Sequence, residues 1–425
     1  MLHIEDEYIK KHILDGCFGL EKENLRVLGN GKLAHTLHPF PEDAHIVKDF
    51  CENQTEINTT VHNSIGEAVE ELRFHSQRIH EKLQRLPQKE YLWPFSNPPY
   101  IENEKDIPVA HFDGASVSKT AYRDYLSDKY GRYKMTFSGI HVNFSFAEEL
   151  LRADFALQEL TDYTEYKNSL YLKLAKRMAA YGWILVAVTA ASPLLDSSFV
   201  EKGIYNQDIF TGMASVRCSE MGYWNEFAPI FNYENIDAYA DSIQKYVDNG
   251  LLKAASELYF PIRLKPKGEN DLVALRQRGV NHIELRMFDL NPFAEAGVDE
   301  KDIIFAQLLM VWLAVTESQP FTEKDQIQAV QNFKNAARYD LKTVKILALD
   351  GENYPVVEAA VRVIGRMQEF YRELGLDVQD VLEFEMKKFV DGGNRYAWKI
   401  REQFQEGYVK KALALAKERQ ERISV

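Results

Sequence analysis

Cysteine is scarce in this chain: three among 425 residues, at Cys17, Cys51 and Cys218. An odd number of widely separated thiols excludes a disulfide framework and offers no thiolate metal spacing, which fits a reducing, cytoplasmic setting. Long apolar runs are also missing. The two longest, Trp183 to Ala191 and Ile303 to Val315, fall short of the roughly 18 residues a bilayer crossing needs, so both are expected to be buried elements. The opening Met1-Leu2-His3-Ile4-Glu5-Asp6-Glu7 lacks the basic and then apolar pattern of a signal peptide. Positive charge is in deficit, with 51 Lys and Arg against 64 Asp and Glu, and a formal net charge of −13 argues against nucleic acid as a partner. No internal repeat, low-complexity tract or interdomain linker interrupts the chain. What remains is a composition of 45% hydrophobic and 27% charged residues, ordinary for a soluble globular protein with a large core.

Two glycine-bearing stretches look like nucleotide loops and fail as such. Gly29-Asn30-Gly31 follows an extended element, Phe18 to Leu28, and reads as a tight hairpin with a return over Lys32 to Thr36, because no βαβ unit follows it. In Asp113 to Thr120 the glycine positions a phosphate loop requires hold Asp113 and Ser118. Helical patterns are clearer. A short helix is expected over Ile4 to Leu14, and Ser64-x-x-Glu67 reads as a capping box opening a helix that Pro87 closes. Further helices fill Ala147 to Ala191 and Ile236 to Gly250. From Asp302 onward the chain reads as helices, ending in a charged segment, Gln405 to Ile423, expected to be loosely docked.

The strands carry the chemistry. Side chains two apart in a strand share a face, so Glu21 and Glu23 stand with Leu25 and Val27 on a side expected to look inward. An expected strand over Ile46 to Thr59 shows Glu52, Gln54 and Glu56 on one face. Asp49 lies seven residues before Glu56, so a bulge or loop must intervene if both serve one site. Lys134 to Phe146 opposes Val142, Phe144 and Phe146 to His141, Asn143 and Ser145. Leu258 to Lys265 is another strand, and Asn281 to Leu290 opposes Ile283, Leu285 and Met287 to His282, Glu284 and Arg286. One apolar and one polar face per strand is the pattern of an α+β fold, an antiparallel sheet packed on helices with its other side open. Carboxylates collected on one such face repel one another unless a cation joins them. Oxygen-rich sites with one imidazole suit Mg²⁺ or Mn²⁺, and a neighbouring arginine such as Arg286 suits a phosphate.

Taken in order, Gly19-Leu-Glu-Lys-Glu-Asn-Leu-Arg-Val27, Asp49-Phe50 with Glu56, Tyr91-Leu-Trp-Pro, Tyr122-Arg123, Ser138-Gly-Ile-His141-Val-Asn-Phe144, Arg217-Cys-Ser-Glu-Met-Gly-Tyr223 and Ile283-Glu-Leu-Arg286 with Asp289-Leu-Asn-Pro-Phe293 resemble bacterial glutamate-cysteine ligases. The resemblance implies a curved, mostly antiparallel sheet like the catalytic region of glutamine synthetase and the guanidino kinases, with helices outside. It implies one catalytic domain over residues 1–425, its sheet core at about 15–293 and a helical subregion at about 302–425. It implies ATP-dependent joining of the L-glutamate γ-carboxylate to the α-amine of L-cysteine through a γ-glutamyl phosphate. Carried over by position, Glu21, Glu23, Asp49, Glu56 and Glu284 with His141 would bind Mg²⁺ (or Mn²⁺), and Arg286, Glu284 and His141 would be the catalytic groups. Arg286 and Arg217 would meet nucleotide or substrate anions, and Phe50, Tyr122, Arg123 and Tyr223 would line the amino-acid side. The alternatives are a glutamate ligase with another amine acceptor and a catalytically silent nucleotide-binding protein. The expected partners are small molecules, with the chain a monomer or a weak homodimer. An ATP-grasp domain like that of bifunctional relatives is not expected, so a separate synthetase would complete glutathione or γ-glutamylcysteine would be the end product.

Overall fold

The computed structural model describes residues 2–201, 207–222, 224–268, 271–317 and 319–422. Its strands are β1 (Gly16–Leu28), β2 (Ile46–Lys48), β3 (Gln54–Asn58), β4 (Glu90–Leu92), β5 (Gly139–Phe146), β6 (Leu194–Asp196), β7 (Asp208–Phe210), β8 (Ile262–Lys265), β9 (His282–Asp289), β10 (Lys345–Leu347) and β11 (Asn353–Pro355). The α-helices run α1 (Glu7–His12), α2 (Ile65–Gln84), α3 (Val117–Tyr130), α4 (Glu148–Ala156), α5 (Tyr163–Tyr181), α6 (Trp183–Thr189), α7 (Ile236–Asp248) and α8 (Leu272–Arg278). They continue as α9 (Glu300–Val315), α10 (Glu323–Ala336), α11 (Val356–Glu373), α12 (Gln379–Val390), α13 (Tyr396–Phe404) and α14 (Tyr408–Arg422).

One antiparallel sheet organises the molecule, in the order β2-β3-β1-β5-β9-β8, with β4 added to the far end of β1. The expected alternation decides what each face meets. Phe18 and Leu20 of β1, Val142, Phe144 and Phe146 of β5, and Ile283 and Leu285 of β9 are buried in the main core against the helices. Both long apolar runs lie in that core. Every residue of α6 is buried, and α9 is buried on nearly all sides, as a helix without a polar face must be. The opposite face is not open throughout. Leu25 and Val27 pack into a second core with Phe50, Trp93 and Phe95, so the inward direction expected for the β1 acids is correct.

Several boundaries differ from the sequence reading. The strand expected over 46–59 is a hairpin: β2 and β3 pair with each other, and residues 49–53 turn between them. Glu52 consequently leaves the sheet face; its carboxylate accepts from the His38 amide and the Lys48 ammonium at 2.9 and 2.8 Å. The turn after β1 forms with Gly31 at φ 83°, but its return is a single bridge, Val27 with Leu33. α1 is shorter than expected, and Ser64 caps α2 without a side-chain hydrogen bond, so that capping box is not made. Helices α3 and α8 and the small pairs β6–β7 and β10–β11 were not anticipated. The last segment is α14, docked through buried Tyr408, Ala412, Ala416 and Gln420, with the Tyr408 ring edge-on to Trp93 at 5.8 Å. Among the described residues, no helix is long and apolar enough to cross a membrane.

Candidate active site

Register places the sequence-nominated acids. Glu23 pairs directly with Glu56 across β1–β3, Glu21 with His141 across β1–β5, and Asn143 with Glu284 across β5–β9. Cross-strand partners project to the same side, so one face holds Glu21, Glu23, Glu56, His141 and Glu284 together. Asp49 joins them from the β2–β3 turn, which is how a residue seven positions before Glu56 reaches the same site; it lines a cavity with Glu23 and His141. A bulge does the rest. Between the pairs Ile140–Phe288 and Val142–Leu285, both Arg286 and Met287 oppose the single residue His141. Phe288 therefore turns into the main core although its parity matches Glu284, and Arg286 is the last β9 side chain on the polar face before the alternation shifts.

The contacts are tight and incompletely balanced. The His141 Nδ1–H donates to Glu21 Oε2 at 2.9 Å, and Asn143 Nδ2 donates to Glu21 Oε1 at 3.0 Å. His141 Nε2 then carries the lone pair and lies 3.9 Å from Glu23 Oε1. Two ligand atoms of one ion, each bonded at about 2.1 Å, stand no more than about 4.2 Å apart, so this pair leaves room for a cation. A ring nitrogen fixed by a carboxylate while the other stays bare is also the usual arrangement of a metal-binding histidine. Glu284 Oε1 is met by Arg286 Nη1 at 3.1 Å and Lys265 Nζ at 3.2 Å. Glu284 Oε2 is buried and has no hydrogen-bond partner. Glu21, His141 and Glu284 offer ligand atoms within 4.8 Å of one another. Hard oxygen donors, one imidazole and a bare buried carboxylate oxygen are a donor set that fits Mg²⁺ or Mn²⁺.

Electrostatics separates the acids into two groups. Burial alone would raise the Glu284 carboxyl, but Arg286, Lys265 and His141 hold it well below the usual range. Burial also opposes the His141 hydrogen bond on Glu21, and the bond prevails, taking the group to about 2. Glu23 is pushed up to about 8 by burial and the Asp49 charge. Glu56 is raised well above its ordinary value by burial and then by Asp49, Glu21 and Glu23. His141 is lowered by burial and Arg286, which keeps its imidazole neutral. Burial, and after it the neighbouring carboxylates, thus favours the protonated forms of Glu23 and Glu56, whereas Glu21 and Glu284 are held ionised.

Beside this cluster lies a cavity of about 190 Å³. Glu23, Asp49, His141, Arg217 and Arg286 line it together with Arg123, and aromatic walls are supplied by Phe50, Tyr122, Trp224, Tyr259 and Phe260. Arg217 lies over Gly139 of β5, and its Nη1 donates to the Phe288 carbonyl of β9 at 3.3 Å. A Cβ on Gly139 would collide with that guanidinium, which explains the glycine of the Ser138-Gly-Ile-His motif. Arg123 Nε donates to the Asp49 carbonyl at 2.8 Å, so it braces the turn that presents Asp49. Tyr122 and Arg123 sit on α3, an element the sequence reading did not assign. Tyr223 lies outside the described residues. Lys265 and Tyr259 were missed, although alternation along β8 put Arg263 and Lys265 opposite Ile262 and Leu264 and so flagged Lys265. The thiols of Cys51 and Cys218 are held protonated by burial, Cys218 at about 11, which suits neither to nucleophilic work.

An antiparallel sheet gathers acids, an imidazole and arginines on one face, with an aromatic cavity alongside, a donor set that suits a hard cation and anionic small molecules. Comparison with known proteins narrows the class. The sequence model of glutamate-cysteine ligases matches residues 1–250 and 227–336, and the chain belongs to that family. The glutathione biosynthesis bifunctional protein GshAB of Listeria monocytogenes is 33% identical over 423 residues, 95% of this chain and 54% of that protein. Its counterpart from Clostridium perfringens is 30% identical over 437 residues, 98% of this chain and 55% of the relative. The chain thus spans about half the length of the curated relatives it matches. The crystal structure of a bifunctional glutathione synthetase from Pasteurella multocida superposes with a TM-score of 0.85 at 25% identity, covering 100% of this chain and 55% of that one. A glutamate-cysteine ligase from Francisella tularensis, solved in complex with AMP, shares the fold at a TM-score of 0.83 and 24% identity, over 96% of this chain and 89% of its own.

Proposed function

We propose that the chain catalyses ATP-dependent ligation of the L-glutamate γ-carboxylate to the α-amine of L-cysteine, giving γ-glutamylcysteine, ADP and phosphate, with residues 1–425 acting as one catalytic unit. The observation that supports this best is the meeting on one sheet face of the Glu21–His141–Glu284 cluster with Arg286, opening into a cavity lined by Arg123, Arg217 and aromatic rings. In this reading a γ-carboxylate oxygen attacks the γ-phosphorus of ATP and ADP leaves. The amine nitrogen then attacks the acyl carbon, and phosphate leaves as the amine loses its proton.

Each step makes a demand that the residues answer. Nucleophile and phosphoryl group are both anions, and Arg286 and Arg217 supply fixed positive charge where they meet. Glu21, Glu23, Asp49, Glu56 and Glu284 with His141 would hold Mg²⁺ or Mn²⁺, whose chemistry is to neutralise and orient phosphate oxygens. The acyl phosphate must meet the amine before water does, and the cavity walls of Phe50, Tyr122 and Tyr259 exclude solvent on the acceptor side. The thiols of the chain have no role.

The test is direct. Purified protein incubated with ATP, Mg²⁺, glutamate and cysteine is expected to form γ-glutamylcysteine and ADP in equal amounts, and to stop when divalent metal is chelated. A panel of amine acceptors run with the same readout identifies the acceptor. ADP formation that is indifferent to every amine refutes ligation, and a stronger response to another amine moves the assignment to a different acceptor.

A further inference from the structure

Helix α3 carries Tyr122, Arg123 and Leu126 into the cavity, yet Leu126 alone of its 14 residues is buried. A helix with so little apolar anchorage is held by its polar ties. Three of those ties converge on one group. Glu257 is wholly buried, and its Oε1 accepts from Lys129 Nζ at 2.6 Å, Tyr130 Oη at 2.7 Å and Tyr125 Oη at 3.3 Å, all three donors on α3. Its Oε2 accepts from the Lys253 amide at 2.5 Å.

The same residue organises the facing wall. Glu257 sits between Ser256 and the stretch Tyr259, Phe260 and Pro261, which line the cavity opposite α3. Its backbone carbonyl accepts from Asn225 Nδ2 at 3.0 Å, and Asn225 Oδ1 accepts from the Tyr259 amide at 2.8 Å. Ser256 Oγ donates to Tyr122 Oη at 3.3 Å, joining the two walls at the cavity itself. The Tyr130 and Tyr259 rings meet edge to face at 5.3 Å. One buried glutamate therefore joins the two aromatic walls through its bonds to α3 and to Lys253 and Asn225.

We propose that Glu257 is a positioning residue that sets the width of the acceptor-amine half of the cavity by clamping α3 against residues 255–261. This rests on the ligase reading. Removing the carboxylate leaves three donors without their shared acceptor and frees α3, so the amine acceptor loses its walls while ATP and glutamate keep their charged partners.

The experiment compares wild type with Glu257→Gln and, because that variant disturbs a buried charge, with the gentler Tyr130→Phe. Steady-state kinetics are measured for each substrate, and hydrogen–deuterium exchange is followed over residues 117–130. The expected result for Glu257→Gln is a KM for the amine acceptor raised about tenfold or more, with KM for ATP and glutamate within about twofold, and faster exchange in α3. Tyr130→Phe gives the same pattern at about threefold. Unchanged exchange in both variants overturns the clamp whatever the substrate. Faster exchange with an equal rise in all three KM values overturns the link to the acceptor. A wild-type protein without amine-dependent ADP release overturns the ligase reading instead, and exchange in α3 still decides whether Glu257 holds the helix.

Discussion

Two places among the described residues gather carboxylates and imidazoles within ligand distance, and they differ in how their lone pairs are used. On the sheet face, Glu21, His141 and Glu284 approach one another with acids in excess, Glu284 Oε2 bare and His141 Nε2 free beside Glu23. On α2, Glu71 and His75 stand with His45. There the single carboxylate is saturated: Oε2 accepts from the Thr60 amide at 3.0 Å, Thr60 Oγ1 at 2.7 Å and His62 Nε2 at 2.5 Å, and Oε1 from His75 Nε2 at 3.2 Å. His75 Nδ1 accepts from Arg78 at 3.0 Å, so its other nitrogen must carry the hydrogen. The His45 and His75 rings are stacked at 5.0 Å with an angle of 18°, and nearly parallel rings do not aim at one ion. Proximity of ligand types is common to both clusters; unsatisfied lone pairs distinguish the proposed cation site from a hydrogen-bonded knot that ties α2 to the loop after β3.

The largest expected effect separates the two clusters by activity. Glu56→Gln and Arg286→Ala should each lower ATP-dependent ligation by about a hundredfold or more, as loss of a charged transition-state contact does, with circular dichroism unchanged. Glu71→Gln in the same assay should stay within about twofold of wild type, since nothing in that cluster is held for substrate. Equal losses from both clusters would remove the distinction. Next in size, Gly139→Ala should cost about tenfold or more in kcat/KM by displacing the Arg217 guanidinium, read by kinetics on protein of native melting temperature.

A pH effect follows from the sign of the shifts. The Glu23 carboxyl, raised to about 8, holds its proton at pH 7, and a cation entering beside it must expel that proton. Metal affinity should therefore rise with pH through this range, by up to about tenfold per unit below pH 8, and calorimetry in buffers of different ionisation enthalpy should register proton release. Affinity that is flat between pH 6 and 8, the range just below the raised value of about 8, would contradict this. The smallest effect belongs to α2. Burial would raise Glu71, but its hydrogen bonds from Thr60, His62 and His75 hold it at about 2, below an ordinary value of 4.5. A depressed carboxyl stabilises the fold above its unfolded value and loses that contribution as pH falls through the folded one. Solvent screening limits it to about 1 kcal/mol, so Glu71→Gln should flatten the fall of stability below pH 4.5 by about that amount in denaturant titrations.

Much of the site was legible because strand alternation is a local signal. The period of two in Glu21–Glu23, His141–Asn143 and Glu284–Arg286 names the polar face without knowledge of strand order, and antiparallel register then brings those pairs together. What escaped needed non-local information. Asp49 was named, with a bulge or loop expected before Glu56, but the hairpin that delivers it lies inside a stretch that reads as one strand, and the β9 bulge at Arg286 and Met287 depends on pairing with β5. α3 was hidden because its polar sequence buries a single residue and so shows little helical periodicity. The docking of α14 was hidden for a similar reason: small Ala412 and Ala416, with Tyr408, provide its contact among charged neighbours. His45, His62 and His75 come from separate segments, and no sequence pattern tells that their hydrogen bonds are already filled.

The most direct test of the account is a Mn²⁺ titration followed by electron paramagnetic resonance on wild type, Glu284→Gln and Glu71→Gln at pH 8. Wild type and Glu71→Gln should bind Mn²⁺ with the same stoichiometry and affinity, and Glu284→Gln should lose a bound ion or weaken it by about tenfold or more. Loss of Mn²⁺ on Glu71→Gln, with Glu284→Gln binding as wild type does, would place the cation on the wrong cluster and contradict the account.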